Sequence, residues 1–359
     1  MDRKENDLTI GFRVDMNKHI ATGHMMRCLS IADEAKRQGM KTIFFCADDK
    51  GLNILKDRDH DACVLGTYWG DLNAEIDVFI RELRKQELLY LFIDSYSVTS
   101  EYLKAISSEV FTIYIDDLNS FHYPVNAILN YEIYAQKLGY ETEYLMGESY
   151  LLLGANYAPL RQEFKTIAEH PKAIRSNIEN ILVLSGGADP YGTIEQVLDV
   201  FIDYDMVNIV AICGRYSDKI DDLRNKYQDK TNIVIKRNVS NIETYMVNAD
   251  LCISAGGSTL YELCSCGTPT ISYTLADNQV ENAKGFDEEE IIPYLGDVRN
   301  MVLSESLLNH IQSMKSKEQR KSYSQRMQSI VDGRGCERIL DYFANKVDKY
   351  GMKGSELYV

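Results

Sequence analysis

The chain has 359 residues, which is enough for two domains of ordinary size that each bury a core of their own. Its formal net charge of −15 argues against nucleic acid or an anionic membrane surface as a partner, because either partner needs a basic face. The N-terminal segment MDRKENDLTI lacks the apolar core of a secretion signal, and no apolar run is long enough to span a bilayer, so we expect a cytoplasmic protein.

The first half of the chain alternates short β-rich runs with segments of helical period, which is the βαβ pattern of a parallel sheet. A helix is predicted to begin at His24 and to end at Gly39. Strands are predicted over residues 8–15, 41–47, 88–96, 111–117, 127–130 and 150–160. The polar stretch 166–180 contains a proline and is predicted to link this half to the next.

The second half repeats the alternation. Strands are predicted over residues 180–190, 207–215 and 232–238 and in the segments DLCIS and TISYT, with a helix from about Thr193. We therefore predict two α/β domains, residues 1–165 and 180–335, each a doubly wound parallel sheet. Residues 336–359 form a C-terminal helix and tail, which could pack on either domain. Ligands of such sheets bind at the carboxyl ends of the strands, near the point where strand order reverses.

The segment HIATGHMMRCLSIADEAKRQG joins the first strand to the first helix. At Gly23 and His24 a glycine loop enters the helix, where free backbone N–H groups and the positive end of the helix dipole suit an anion. That field disfavours an imidazolium, so we expect a neutral His24 ring that can accept a proton as a general base. The alternative is a solvated histidine that only caps the helix.

The segment SAGGSTLYELCSCGTP resembles an anion cradle in its spacing. Gly256 and Gly257 let backbone amides approach phosphate oxygens closely, and a helix follows from Ser258 or Thr259. Glu262 stands one turn into this helix, where a carboxylate could accept hydrogen bonds from two ribose hydroxyls. Thr259 and Glu262 fit a capping box equally well.

Two further clusters follow strands of the second half. In LSGGADPYGT, Gly186 and Gly187 could form a phosphate loop, although a plain turn into the next helix fits as well. In TLADNQVENA, the side chains of Asp277, Asn278 and Gln279 suit sugar hydroxyls or N-acetyl groups, and an N-cap on the next helix is the alternative.

Acidic residues end two strands of the first half. Asp94 and Tyr96 occur in FIDSYS, and Asp116 and Asp117 occur in YIDDLNS. Carboxylates at strand ends act as acids or bases, or they cap loops, and capping is the commoner role. No third ligand pattern joins them to make a metal site.

Cysteine and histidine usage predicts neither disulfides nor bound zinc. The eight cysteines lie mostly in apolar segments and none forms a CxxC pair, which favours buried, reduced thiols. The six histidines show no HxxxH spacing. We therefore expect metal-independent chemistry without a cofactor.

In order and spacing, these segments resemble the UDP-sugar hydrolase of pseudaminic acid biosynthesis and the related spore-coat polysaccharide proteins. The matching pieces are RVDMNKHIATGHMMRCLSIADEAKRQG, FIDSY, YIDDLN, LLGANYAPLRQEF, LSGGADP, ISAGGSTLYELCSCGTP, ADNQVENA and VDGRGCERI. The resemblance implies the GT-B architecture, with two Rossmann-like domains facing across a cleft. It also implies a metal-independent reaction in which water attacks the anomeric carbon of a 2,4-diacetamido-2,4,6-trideoxy sugar with inversion and releases UDP.

The resemblance also implies roles for single residues. His24 is the expected base, Tyr96 lies in the sugar pocket, and Asn278 contacts the substrate. The expected substrate-binding residues are Arg13, Asp15, Gly23, Asp94, Gly186, Gly187, Gly256, Gly257, Ser258, Thr259, Glu262 and Gln279. One position departs from the family, because Ala21 replaces the first loop glycine, and alanine tolerates a positive φ poorly.

The function predicted from the sequence is therefore a nucleotide-sugar hydrolase, in which the second domain binds UDP and the first binds the sugar. An inverting glycosyltransferase on the same scaffold would need the same base and the same UDP site. A catalytically silent nucleotide-sugar-binding protein is a third reading. A hydrolysing 2-epimerase has less support, since its acidic pair is not assigned.

Overall fold

The computed structural model describes residues 8–17, 22–144, 147, 149–187, 189–214 and 217–350, with side chains described as far as residue 344. Ala21, Ala188 and the tail after Tyr350 lie outside the described residues, so the expectation for the Ala21 loop is not tested. The described residues divide into two compact units. Unit 1 combines the ranges Met1–Gln162 and Arg334–Val359, and unit 2 is Glu163–Gly333.

Unit 1 is built on a parallel sheet. In its described part the strand order is β3-β2-β1-β4-β5-β6-β7, and every pairing is parallel. The strands are β1 (Thr9–Val14), β2 (Lys41–Cys46), β3 (Asp61–Val64), β4 (Leu88–Asp94), β5 (Thr112–Ile115), β6 (Ala127–Asn130) and β7 (Tyr150–Leu153). The helices are α1 (Gly23–Arg37), α2 (Leu52–Asp57), α3 (Ile76–Leu83), α4 (Ser100–Ser107), α5 (Tyr140–Glu143), α6 (Gln162–Ala168), which continues into unit 2, and α14 (Gly335–Tyr350).

Unit 2 repeats this design. Its described strands run in the order β10-β9-β8-β11-β12-β13, again all parallel. They are β8 (Asn180–Leu184), β9 (Asn208–Cys213), β10 (Ile233–Arg237), β11 (Leu251–Ala255), β12 (Thr270–Thr274) and β13 (Tyr294–Asp297). Its remaining helices are α7 (Thr193–Val200), α8 (Ile220–Lys226), α9 (Ile242–Asn248), α10 (Thr259–Cys266), α11 (Val280–Glu288), α12 (Leu303–Met314) and α13 (Lys317–Ile330).

The central strands are apolar on both faces, as parallel strands covered by helices must be. In β1 the side chains of Ile10, Phe12 and Val14 are all fully buried. The ring of Phe12 stacks between those of Phe44 and Phe92, with centroid distances of 4.8 Å and 5.2 Å. These stacked rings join β2, β1 and β4 at the middle of the sheet.

Most strands predicted from the sequence are present within one or two residues of the expected ends. The short strands β3 and β13 were missed, because neither contains a fully buried residue, which weakens the apolar signal. The predicted linker 166–180 also overlaps the end of α6.

Helix α14 belongs to unit 1, although it follows unit 2 in the sequence. It packs against α1, and the ring of Phe343 lies 5.3 Å from that of Tyr90 and 5.8 Å from that of Phe111. The sequence left this packing partner open. The apolar face of α14 determines that this helix packs on unit 1, since Ile339, Leu340 and Phe343 are buried there.

A buried charge network lies under the carboxyl end of β1. The fully buried Arg13 guanidinium donates to both carboxylate oxygens of Glu75, at 2.7 Å and 2.9 Å, and to Asp15 at 2.5 Å. Asp15 also accepts the Ala47 N–H at 2.7 Å. This corrects the expectation that Arg13 and Asp15 contact a substrate, because their polar atoms are buried and bonded within the core of unit 1.

Seven of the eight cysteines are buried, as the sequence predicted, and all eight are unpaired. Among the described residues, no helix combines the length and the apolar composition that crossing a bilayer requires.

Replacing Glu75 with alanine should strongly destabilise unit 1. The change leaves the buried Arg13 charge without its main partner, which costs about 3–5 kcal/mol. Urea unfolding should be followed by the fluorescence of Trp69, the single tryptophan, because it lies in unit 1 and therefore reports on that unit.

The matched control is Glu109→Ala, which removes the partner of Arg84 from an ion pair whose arginine side chain is 65% exposed. Its cost should be much smaller than that of Glu75→Ala, because water solvates the remaining charge. Equal losses in the two variants would contradict the structural role given to Glu75.

Candidate functional site

Strand order reverses once in each unit. In unit 1 the chain moves outward from β1 in both directions, through β2 on one side and β4 on the other, and in unit 2 the equivalent pair is β8 and β11. At such a point the loops after two adjacent strands diverge and leave a crevice at the strands' carboxyl ends. Most of the residues singled out in the sequence follow these four strands, and the others follow the neighbouring strands β5 and β12.

In unit 1, His24 lies in the first turn of α1, after β1, and Asp94 ends β4. The His24 Nδ1–H donates to Asp94 Oδ1. Because a carboxylate only accepts, this bond puts the proton of a neutral ring on Nδ1, and in that tautomer Nε2 carries the lone pair. Nε2 has no hydrogen-bond partner among the described residues, and the side chain is 11% exposed.

Asp94 is held on its other side by Arg27, three residues after His24 on α1. The Arg27 guanidinium donates to Asp94 at 2.5 Å and 2.6 Å, and it also donates to the Tyr131 hydroxyl at 3.0 Å. Burial alone would raise the pKa of Asp94, but the charges and hydrogen bonds of Arg27 and His24 outweigh it and hold that pKa well below its usual range. Asp94 is therefore an anion at neutral pH.

These bonds correct the expectation that Asp94 binds the substrate directly. Its side chain is fully buried, and both of its oxygens are bonded to His24 or Arg27. Asp94 instead fixes the orientation of the His24 ring, in the way that a buried carboxylate orients the histidine of a catalytic triad.

Tyr96 follows Asp94 and forms the outer wall beside the histidine. Its ring meets the His24 ring edge-on at 4.9 Å, and its side chain is 55% exposed. The hydroxyl of Tyr96 donates to Asp117 Oδ2 at 2.5 Å. Asp116, the neighbouring acid, instead caps a loop by accepting the N–H groups of Leu118 and Asn119.

In unit 2, the turn after β11 presents backbone donors. The Gly256 N–H donates to the Tyr273 carbonyl at 2.8 Å. The N–H groups of Gly257, Ser258 and Thr259 donate to no acceptor among the described residues. These three groups lie at the N-terminus of α10, where the helix dipole favours an anion.

Close packing requires glycine at the first position of this turn. A Cβ on Gly256 would lie 3.0 Å from both Ala283 and Thr274, whereas one on Gly257 would meet nothing closer than 3.9 Å. The buried side chain of Asn282 holds the turn from below, since its amide donates to the Gly256 carbonyl at 3.1 Å and accepts from the Tyr261 hydroxyl at 2.8 Å.

The capping box that the sequence left open does not form. The residue that caps α10 is Ser258 rather than Thr259, and its side chain makes no capping hydrogen bond. Glu262 lies in the first helical turn and is half-buried. The other reading of Glu262, as a ribose-binding residue, stays a prediction.

The second glycine turn of unit 2 follows β8. Gly186 has a φ of +76°, a conformation that L side chains rarely adopt, and the turn packs tightly against Gly214 at the end of β9. Asp189 accepts the N–H groups of Thr193 and Ile194, so it caps α7, as the sequence suggested for a turn into a helix.

The segment after β12 lies beside the Gly256 turn. Gln279 Oε1 accepts the Leu275 N–H at 3.1 Å, and Gln279 Nε2 lies close to Gly257. Asn278 is exposed, and Asp277 pairs with Arg299 at 2.6 Å. The sequence also allowed this segment to cap the next helix. Gln279 is the N-cap residue of α11, but its side chain makes no capping hydrogen bond.

The structure therefore groups the predicted residues into two sets. Unit 1 brings together His24, Asp94 and Tyr96, with Gly23 at the exposed start of α1. Unit 2 brings together the Gly256–Thr259 turn and Gln279. Gly186 and Gly187 form a separate turn on the adjacent strand β8.

Two residues of these sites were not singled out from the sequence: Arg27 and Asn282. The spacing of Arg27 from His24 puts both on one face of α1, which was the available signal. Asn282 acts through contacts distant in sequence, so only the fold reveals it. Asp117 was named as a strand-end acid, but its hydrogen bond with Tyr96 is evident only in the fold. Among the described residues, no group of three or more His, Cys, Asp or Glu side chains is placed to hold a metal ion.

Unit 2 is similar to a known family of domains, and the whole chain is similar to a known protein. Residues 180–333 match the glycosyltransferase family 28 C-terminal domain. Over 342 residues, 92% of this chain and 96% of its relative, the chain is 25% identical to the spore coat polysaccharide biosynthesis protein SpsG of Bacillus subtilis (strain 168).

A shorter stretch is similar to a named transferase. Over 119 residues the chain is 35% identical to the UDP-N-acetylglucosamine--N-acetylmuramyl-(pentapeptide) pyrophosphoryl-undecaprenol N-acetylglucosamine transferase of Campylobacter fetus subsp. fetus (strain 82-40). This match covers 31% of the chain and 35% of the transferase.

The whole chain is similar in structure to MurG of Acinetobacter baumannii. The TM-score is 0.67 at 13% identity, and the match covers 94% of this chain and 99% of that one. At such low identity the similarity shows the fold alone. It confirms the GT-B fold with two Rossmann-like, parallel-sheet domains that the sequence predicted.

Replacing Gly214 with alanine should disturb the turn after β8. The new Cβ would lie 2.0 Å from the Gly186 carbonyl oxygen, so the backbone of the turn must move. We expect a loss of about 1–3 kcal/mol in the stability of unit 2, as for other overpacked sites. Hydrogen exchange read by mass spectrometry should show faster exchange in β8 and β9.

Gly257→Ala is the matched control, because its new Cβ would have Gln279 Nε2, at 3.9 Å, as its nearest neighbour. Exchange in β8 and β9 should stay at the wild-type rate in this variant. Unchanged exchange in Gly214→Ala would show that the turn after β8 is not held by this close approach.

Proposed function

We propose that this protein releases the nucleoside diphosphate from a nucleotide sugar by attack of water on the anomeric carbon, with His24 as general base. The observation that carries the proposal is the His24 ring itself. Its Nδ1–H is fixed on a buried carboxylate, and its Nε2 has no partner among the described residues.

This arrangement suits proton abstraction. As Nε2 takes a proton from water, positive charge develops on the ring, and the Asp94 carboxylate bonded to Nδ1 stabilises that charge. Arg27 keeps Asp94 ionised and in place, so the imidazolium is stabilised without rearrangement of the site.

In this proposal unit 2 binds the nucleoside diphosphate. The free N–H groups of Gly257, Ser258 and Thr259 would donate to phosphate oxygens and stabilise the charge that builds on the departing diphosphate. The match of residues 180–333 to a glycosyltransferase C-terminal domain supports this assignment. Glu262, Asn278 and Gln279 are the proposed contacts of the nucleoside and the sugar.

The finer identity of the substrate rests on the sequence resemblance. It points to UDP linked to a 2,4-diacetamido-2,4,6-trideoxyhexose and to a role in nonulosonic acid or surface polysaccharide biosynthesis. The overall similarity to a spore coat polysaccharide biosynthesis protein agrees with the second role. No metal or cofactor takes part in the proposed reaction.

Glycosyl transfer is the second candidate function. The relative of Campylobacter fetus is named as a transferase, and the domain matched by unit 2 is named for glycosyltransferases. The chemistry at His24 would be the same, except that a hydroxyl of an acceptor replaces water.

His24→Gln should lower kcat for UDP release by about 10²–10⁴-fold, the usual contribution of a general base. Phosphorus-31 NMR of UDP formed from the diacetamido UDP-sugar measures the rate. UDP affinity, measured by calorimetry, should stay unchanged, because unit 2 is untouched. The matched control is His122→Gln, which alters a histidine of the same unit with a side chain that is 47% exposed.

Wild-type turnover in His24→Gln would end the role assigned to this residue. UDP binding by the wild type without turnover on any of a panel of UDP-sugars would instead indicate a binding protein.

Incubation in ¹⁸O-labelled water, without any added acceptor, separates hydrolysis from transfer. We expect UDP release, with the label in the sugar and none in UDP, because water attacks carbon and the C–O bond breaks. Label in UDP would show attack on phosphorus. Release that occurs only when a sugar or lipid acceptor is added would establish the transferase.

A further inference from the structure

A second carboxylate, Asp117, is bonded to Tyr96, whose ring contacts His24, and it has no role in the chemistry above. It follows β5, and the Tyr134 hydroxyl donates to its carbonyl oxygen at 3.1 Å. The adjacent loop is fixed by Asp116, which accepts two backbone N–H groups. The backbone at Asp117 is therefore fixed on both sides, which limits where its side chain can reach.

Tyr96 is the single hydrogen-bond partner of this carboxylate among the described residues. The Tyr96 hydroxyl donates to Oδ2, while Oδ1 is buried and has no partner. A carboxylate that is mostly withdrawn from water and holds one hydrogen bond binds that donor strongly. The proton of Tyr96 is consequently committed to Asp117.

The direction of this bond determines what Tyr96 can offer to a ligand. Burial, together with the Asp117 charge, raises the pKa of Tyr96 well above its usual value, so the phenol keeps its proton at neutral pH. With its single O–H turned toward Asp117, the phenolic oxygen presents only lone pairs to the exposed side. A ligand beside His24 meets an acceptor at this position.

We propose that Asp117 is a positioning residue that turns the Tyr96 hydroxyl into a pure acceptor, so that the site selects sugars carrying an N–H or O–H donor opposite Tyr96. This inference rests on the proposed function, because it assumes that the sugar of a nucleotide sugar lies beside His24. Acetamido and hydroxyl groups are the donors of this class. Tyr96 therefore contributes to sugar recognition and donates no proton to the leaving group.

The test compares the affinities of two ligands, so that binding of the nucleotide and binding of the sugar are read separately. The ligands are UDP and the non-hydrolysable C-glycosyl phosphonate analogue of UDP-N-acetylglucosamine. Calorimetry gives the ratio of their dissociation constants for the wild type, Tyr96→Phe, Asp117→Asn and the double variant. UDP alone reports on unit 2 and should bind all four proteins within about twofold.

We expect Tyr96→Phe to lower the ratio of the dissociation constant of UDP to that of the sugar-bearing ligand about tenfold. This is the effect of losing one hydrogen bond in a partly buried site. Asp117→Asn should reduce it by a similar factor, because a neutral carboxamide accepts the Tyr96 O–H more weakly than a carboxylate and no longer keeps that hydrogen turned away from the ligand. The double variant should lose no more than either single one, since both changes remove the same interaction.

Several results would overturn the inference. These are an unchanged ratio in either single variant, additive losses in the double variant, or weaker UDP binding in Asp117→Asn, which would indicate a general structural role. If Asp117→Asn does not fold, as judged by Trp69 fluorescence, Asp117→Ser takes its place with the same expectations.

The same data separate this inference from the proposed function. If the wild type does not bind UDP, the proposed function fails and the inference fails with it. If UDP binds but the sugar adds no affinity, the inference alone is overturned and nucleotide binding stands.

Discussion

The candidate chemistry of unit 1 depends on one buried carboxylate. Asp94 receives hydrogen bonds from His24 and Arg27, both on the first turns of α1, and it ends the strand next to β1. An unpaired carboxylate at this depth would be costly to ionise, so the arginine is as necessary as the aspartate. The pair fixes the histidine tautomer, and the tautomer decides which ring nitrogen can take a proton.

The parallel sheets explain why these residues meet. A parallel strand places its last residue and the loop after it at the same edge as its neighbours, so a histidine after β1 and an aspartate ending β4 become adjacent. In unit 2 the same geometry brings the turn after β11 beside the segment after β12, around Gly257 and Gln279. Unit 1 thus presents a candidate general base, and unit 2 presents backbone hydrogen-bond donors.

The sequence predicted the residues whose signal is local. Alternating apolar runs gave most of the strands, and Gly23 and His24 correctly marked the start of α1. The resemblance assigned Arg13 and Asp15 to a ligand, and nothing in the local sequence separates that role from a core ion pair. Only the distant Glu75, which pairs with Arg13 in the folded chain, distinguishes the two.

The sequence by itself determined the alternation of strands and helices, the positions of the glycine turns and the place of His24 at a helix start, because these follow from periodicity and from backbone preferences within a few residues. Tertiary structure decided the partners. It placed Asp94 on the imidazole rather than on a ligand, joined Tyr96 to Asp117 and returned α14 to unit 1. Each of these contacts joins residues far apart in the chain, and their closeness depends on strand order and helix packing, which no local pattern encodes.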